Sequence, residues 1–126
     1  MTEKELLKKY NVTLREFSSE QWTRNGFFDS VNRIVYINAD LPAIERRKVL
    51  LHELGHLEHY KNLYENVPIL CENEANRSMI RQLVKEAVEN LENIHDFNYL
   101  NFMEYYNLKT TTDEIMVKEE YLNLVG

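Results

Sequence analysis

Two histidines four residues apart, with a glutamate directly after the first, stand at His52-Glu53-Leu54-Gly55-His56. On a helix such a pair shares one face, about a turn apart. Both imidazoles can then reach one zinc ion at about 2.0–2.1 Å. Glu53 points to one side of the pair, where it can take a proton from an attacking water instead of binding the metal. A chance match to this pattern is expected roughly 0.02 times in a chain of this composition, so the motif stands above background. Gly55 agrees with it. A glycine inside a helix costs about 1 kcal/mol relative to alanine, a cost that another backbone passing close by would explain.

A catalytic zinc site needs three protein ligands and one open position. The remaining donors are His59, His95, Cys71 and many carboxylates. His59 follows His56 by three residues on the same side of the helix. Three ligands along one straight helix spread over ~10 Å, so His59 is expected to support the site or the fold instead of binding the ion. The third ligand is then expected from the next helix. There Glu72, Asn76, Met79 and Leu83 recur at i, i+4, i+7 and i+11, so Glu72 extends an apolar stripe at its N-terminal end. A carboxylate on that side is costly unless paired or metal-bound. Glu74 falls instead with Ser78 and Arg81. Asn76, one turn after Glu72, can orient a ligand histidine or serve as an ordinary helix polar residue. His95 lies between two helices, either as a surface histidine or as a group that polarises a substrate carbonyl. Cys71 reads as a small buried or partly exposed thiol, because the histidines it would need as a base are committed to metal.

The elements that must position these groups are legible in outline. A short helix is expected over residues 2–10. Asn25-Gly26 signals a turn, since both residues tolerate positive φ. Phe27-Phe28-Asp29 and Arg33-Ile34-Val35-Tyr36-Ile37 are expected to pair as a hairpin around Ser30-Val31-Asn32. The strand from Arg33 to Asn38 is the expected place for a substrate to add as a further strand. Asp40 is expected to cap the metal helix, with Pro42 in its first turn and an end near Tyr60. After a loop from Asn62 to Pro68, a second helix is expected from Ile69 to Asn93, with Met79, Ile80, Leu83, Ala87 and Leu91 on one face. A third is expected from Asp96 to Tyr106. A capping box of Thr111 and Glu114 would start the last, ending near Leu122. Phe97, Tyr99, Phe102, Tyr105 and Tyr106 are expected to pack these C-terminal helices. Lys8-Lys9 and Glu119-Glu120 read as solvated helix charges.

Composition bounds the rest. At 126 residues, with 44% hydrophobic and 29% charged residues, the chain has the size and make-up of one ordinary globular domain. Its one cysteine excludes an internal disulfide framework and suits a reducing compartment. No apolar run approaches ~18 residues, and the charged N-terminus lacks a signal-peptide core, so a cytoplasmic protein without a membrane span is expected. A net charge of −6 argues against direct duplex binding, which needs a basic face.

The His52–His56 motif, followed after about fifteen residues by Glu72-Asn73-Glu74-Ala75-Asn76, resembles the ImmA/IrrE metallopeptidases. The segment Gly26-Phe27-Phe28-Asp29 with Ile34-Val35-Tyr36-Ile37-Asn38 is similar to the hairpin before the metal helix in that family. The resemblance covers roughly Arg24 to Ile80. It implies an α+β, zincin-like single domain spanning residues 1–126. In it a small hairpin or sheet packs on a helical metal-binding core, followed by a helical C-terminal half. It implies His52, His56 and Glu72 as zinc ligands and Glu53 as general base of an endopeptidase. Its implied substrate is a helix-turn-helix repressor of the same mobile element, of phage type. The alternative is a non-proteolytic regulator that sequesters a repressor or toxin around a structural zinc. The sequence departs from the family where Ala75-Asn76 runs into Arg77-Ser78-Met79-Ile80 in place of Phe-Ala and a Leu-Met-Pro run.

Overall fold

A computed structural model describes the backbone of residues 1–58 and 68–126, and the side chains of residues 1–57 and 72–126. The fold is α+β and mostly helical, with one three-stranded sheet among the described residues. It divides into two compact units, Met1–Asn76 and Arg77–Gly126.

The first unit begins with α1, Glu3–Tyr10. Thr2 caps it by accepting the Glu5 N–H, and Asn11 ends it in the left-handed region at φ 52°. Three strands follow: β1 (Thr13–Phe17), β2 (Gly26–Asp29) and β3 (Ile34–Asn38). The order is β1-β3-β2, with β1 parallel and β2 antiparallel to β3. The β2–β3 hairpin is the expected one. Its turn is an Asx turn, in which Asp29 Oδ1 accepts the N–H groups of Val31 and Asn32. Arg33 closes it at φ 55°, and its guanidinium donates to the Asn11 and Tyr10 carbonyls at the end of α1.

Strand β1 is absent from the sequence reading, and its pairing changes the role of β3. With β1 on one side and β2 on the other, β3 has no open edge. The expectation that the Arg33–Asn38 strand receives a substrate strand is therefore corrected: the outer edges belong to β1 and β2.

Helix α2, Ala43–Gly55, lies against β2 and β3. Its Leu50, Leu51 and Leu54 share the buried core of this unit with Leu6, Val35, Ile37 and Ala75. Asp40 does not cap it. The N-cap is Pro42, without a side-chain bond, because the Asp40 carboxylate is taken by the Ser19 N–H at 2.9 Å. What fixes the start of α2 is Arg46. Its guanidinium donates twice to Glu3 of α1 at 3.0 Å and once to Glu16 of β1 at 2.9 Å. These bonds hold the Glu3 carboxyl below its ordinary range. The α-helix ends at Gly55, earlier than Tyr60. His56–Glu58 forms a 3-10 turn, and Tyr60 lies outside the described residues.

Helix α3, Pro68–Glu89, contributes its first residues to this unit and the remainder to the second. In the second unit a 3-10 turn at Ile94–Asp96 precedes α4 (Tyr99–Tyr105) and α5 (Thr111–Val125). The expected helix from Asp96 is thus split, because Asn98 caps α4 by accepting the Leu100 and Asn101 N–H groups. The cap of α5 is Thr110, one residue before the expected Thr111, and it accepts the Asp113 N–H at 2.9 Å. Phe97 stacks on Tyr121 at 4.7 Å and meets Phe102 at 5.5 Å, while Phe102 meets Tyr106 at 4.9 Å. Glu120 is a further correction: it is buried, not solvated. Its two oxygens face Arg77 at 3.3 Å and Arg81 at 3.2 Å. A buried carboxylate needs such partners. Arg77, which stands where the sequence departs from the family pattern, is one of them. No helix among the described residues is long and apolar enough to cross a membrane.

Candidate metal centre

The motif occupies the C-terminal end of α2. His52 and Glu53 lie in its last turn and His56 is its C-cap. His56 keeps right-handed helical dihedrals (φ −66°, ψ −22°), so the four-residue spacing still stacks the two rings along one face. Their centroids are 5.1 Å apart and nearly perpendicular. Ligand atoms of His52, Glu53 and His56 all fall within 4.8 Å of one another.

Glu72, on the first turns of α3, reaches across to this face. Its Oε2 lies 2.9 Å from His52 Nε2 and its Oε1 3.1 Å from His56 Nε2. An ion in tetrahedral coordination, with donors at 2.0–2.2 Å, holds neighbouring donors about 3.3 Å apart. Both histidine–carboxylate distances are therefore already near that spacing. Two imidazole nitrogens with a carboxylate suit zinc and other borderline divalent ions. Glu72 is not sunk in the core, as the apolar stripe suggests, but about half exposed, with the carboxylate turned to the histidines.

Glu53 is held differently. Burial pushes its carboxyl above the ordinary range, and the Glu72 charge pushes the same way, against the pull of His52 and Arg24. Part of that burial comes from β2, which lies against α2 at this point. A Cβ added to Gly26 would stand 2.5 Å from Val49 Cγ1, 3.1 Å from the Tyr36 carbonyl oxygen and 3.7 Å from Glu53 Cγ. Gly26 is thus needed for close approach. It has no positive φ, which corrects the turn reading of Asn25-Gly26.

Gly55 has an equivalent reason. A Cβ there would lie 2.9 Å from both the Cα and the carbonyl oxygen of Ala75. Backbone atoms cannot rotate away, so any side chain at residue 55 must push α2 and α3 apart. Gly55→Ala is expected to lower stability by about 1–2 kcal/mol despite better helix propensity, since overpacking costs about 1–3 kcal/mol and propensity returns less than 1. Any metal affinity of the site should fall with it, because Glu72, which faces both histidines, sits one turn before Ala75. Urea unfolding and zinc titration check both. An unchanged midpoint with unchanged affinity would remove this close contact from the account.

The structure thus brings His52, Glu53, His56 and Glu72 together. Asn76, one turn beyond Glu72, is half-buried. His59 lies outside the described residues, as does the side chain of Cys71. His95 is exposed in the 3-10 turn of the second unit, where its N–H donates to Asn93. Gly26 and Arg24 are the residues near Glu53 that sequence reasoning did not assign to the site. The only signal for Gly26 was its place in the family-like segment.

No curated protein and no solved structure matches the chain significantly. A family model does, that of the IrrE N-terminal-like domain of the M78 peptidases, over residues 7–118. With the His-Glu-His arrangement at the end of α2, this match makes the chain a member of the M78 peptidases, a metallopeptidase family.

Proposed function

We propose that the chain is a zinc endopeptidase acting on a cytoplasmic helix-turn-helix repressor of its own mobile element, with residues 1–126 working as one zincin-like domain. His52, His56 and Glu72 would hold the ion, and Glu53 would act as general base. The observation that carries this is the division of labour between the two glutamates. Glu72 lies on the Nε2 atoms of both histidines. Glu53 is partly buried beside them, and that burial holds its carboxyl above the ordinary carboxylate range.

Zinc, when bound, supplies Lewis acidity to the attacking water and to the substrate carbonyl. The chain's residues do the rest. Glu53 accepts a proton from the water on its carboxylate and delivers it to the leaving amine, which completes hydrolysis of the peptide bond. The outer edge of β2 is the place for the substrate backbone, since β2 passes directly over Glu53 at Gly26.

The repressor substrate rests on the family resemblance. It is tested by mixing the purified, zinc-loaded chain with the helix-turn-helix repressor encoded beside it and resolving fragments on a gel. Discrete fragments that vanish with a chelator are expected. An intact repressor that co-purifies with the chain would favour sequestration around a structural zinc.

A further inference from the structure

The chain has seven arginines, and five of them are bonded to carbonyls or carboxylates: Arg33, Arg46, Arg47, Arg77 and Arg81. Among the described residues, the guanidinium groups of Arg15 and Arg24 meet no acceptor. Both belong to the same part of the first unit. Side chains alternate along a strand. Gly26 and Ile37 face α2, so Phe27 and Tyr36 face away from it. Arg15, Tyr36 and Phe27 are register partners and form one row across the sheet on that outer face.

Beside this row stands a built aromatic surface. Trp22 lies 5.2 Å from Phe17 and 5.9 Å from Phe27, and Phe27 lies 6.3 Å from Tyr36. The Arg24 guanidinium sits over Trp22 at 5.4 Å and over Phe27 at 5.9 Å. Trp22 and Phe27 remain 38% and 40% exposed, so the stacked cation is open to a ligand. The loop that carries it is tied down. Buried Asn38 donates from Nδ2 to Ser19 Oγ at 3.0 Å and to the Arg24 carbonyl at 3.4 Å, and its backbone N–H donates to the Asn25 carbonyl. Stacking and these bonds fix the arginine before any ligand arrives, which lowers the ordering cost of binding.

We propose that Arg24, stacked on Trp22 and Phe27, selects an acidic side chain in the substrate strand that adds to the edge of β2. This rests on the reading of β2 as the docking edge. A strand added there puts alternate side chains on the outer face, beside Phe27. Arg24 and Arg15 beside the aromatic rings make this face locally complementary to an acidic segment with apolar neighbours. A guanidinium fork can hold a carboxylate through two N–H groups.

Trp22 is the only tryptophan, so its fluorescence reports binding at this face without any cleavage. The full chain carrying Glu53→Gln is titrated with two blocked heptapeptides, Thr-Ala-Glu-Ala-Glu-Ala-Thr and its counterpart with lysines for the glutamates. The glutamate peptide is expected to bind at least ~10-fold more tightly at low salt. Arg24→Glu should reverse the preference, a result that mere misfolding cannot produce. Equal affinities in the parent, or an Arg24→Glu chain that still prefers glutamate, would overturn the proposal. So would tighter binding of a single-stranded oligothymidine than of the glutamate peptide, which would assign the face to nucleic acid. Because the readout is binding, a charge preference in the Glu53→Gln chain, beside a parent chain with Glu53 intact that cuts no peptide and no repressor, would sink the peptidase reading alone. Cleavage without charge preference would sink only the role of Arg24.

Discussion

Glu53→Gln is expected to reduce peptide cleavage by at least ~10²–10⁴-fold, the span that general acid–base catalysis contributes. The substitution keeps the shape of the side chain against Gly26, so β2 and α2 stay in place. It leaves His52, His56 and Glu72, the proposed zinc ligands, untouched, so zinc content should be unchanged. What disappears is the group that accepts a proton. Loss of a partly buried carboxylate also removes a desolvation cost, so the variant should be at least as stable as the parent. Zinc analysis, thermal unfolding and cleavage of a verified substrate separate these effects. A variant that cuts at the parental rate would remove Glu53 from the chemistry.

Glu72→Ala is expected to weaken zinc binding by more than ~100-fold, beyond the 10–100-fold typical of groups that only support a ligand. Glu74→Ala should leave zinc affinity within about twofold and stability within about 0.5 kcal/mol. The two glutamates are chemically identical and nearly adjacent, but two residues are about 200° apart on a helix. Ala75, in the Gly55 contact, marks where α3 approaches α2, and Glu72 lies three residues before it. Glu72, though about half exposed, reaches both histidines from there. Competition with a chromophoric chelator measures both affinities. Loss in Glu74→Ala with retention in Glu72→Ala would reverse the assignment. Some loss of local order in Glu72→Ala is expected too, since metal binding couples to folding and two histidines would lose their carboxylate partner.

The face of α2 that His52 and His56 share was legible in the residues because its geometry is local. Four residues of helix set the distance between His52 and His56 whatever surrounds them, and even the early end of α2 at Gly55 leaves it intact. The β2–β3 hairpin was legible for the same reason, its turn being built by Asp29 and the residues just after it. Periodicity also marked α3, where Met79, Ile80 and Leu83 are buried as their spacing requires.

The features that the sequence left open depend on partners far along the chain. β1 carries two charges among five residues and shows no clear alternation. Its strand state comes from pairing with β3, twenty-one residues on, and from the bond of Glu16 to Arg46. Gly26 looks like a turn residue to its neighbours. Its actual constraint is Val49 on α2, a contact no local pattern announces. Glu120 looks like one more surface charge beside Glu119, until Arg77 and Arg81 meet it from α3. Helical phase is a property of a few consecutive residues and can be read in one dimension. Burial, strand centrality and the partner of a charge are set by which segments meet in space, and only the tertiary structure decided those.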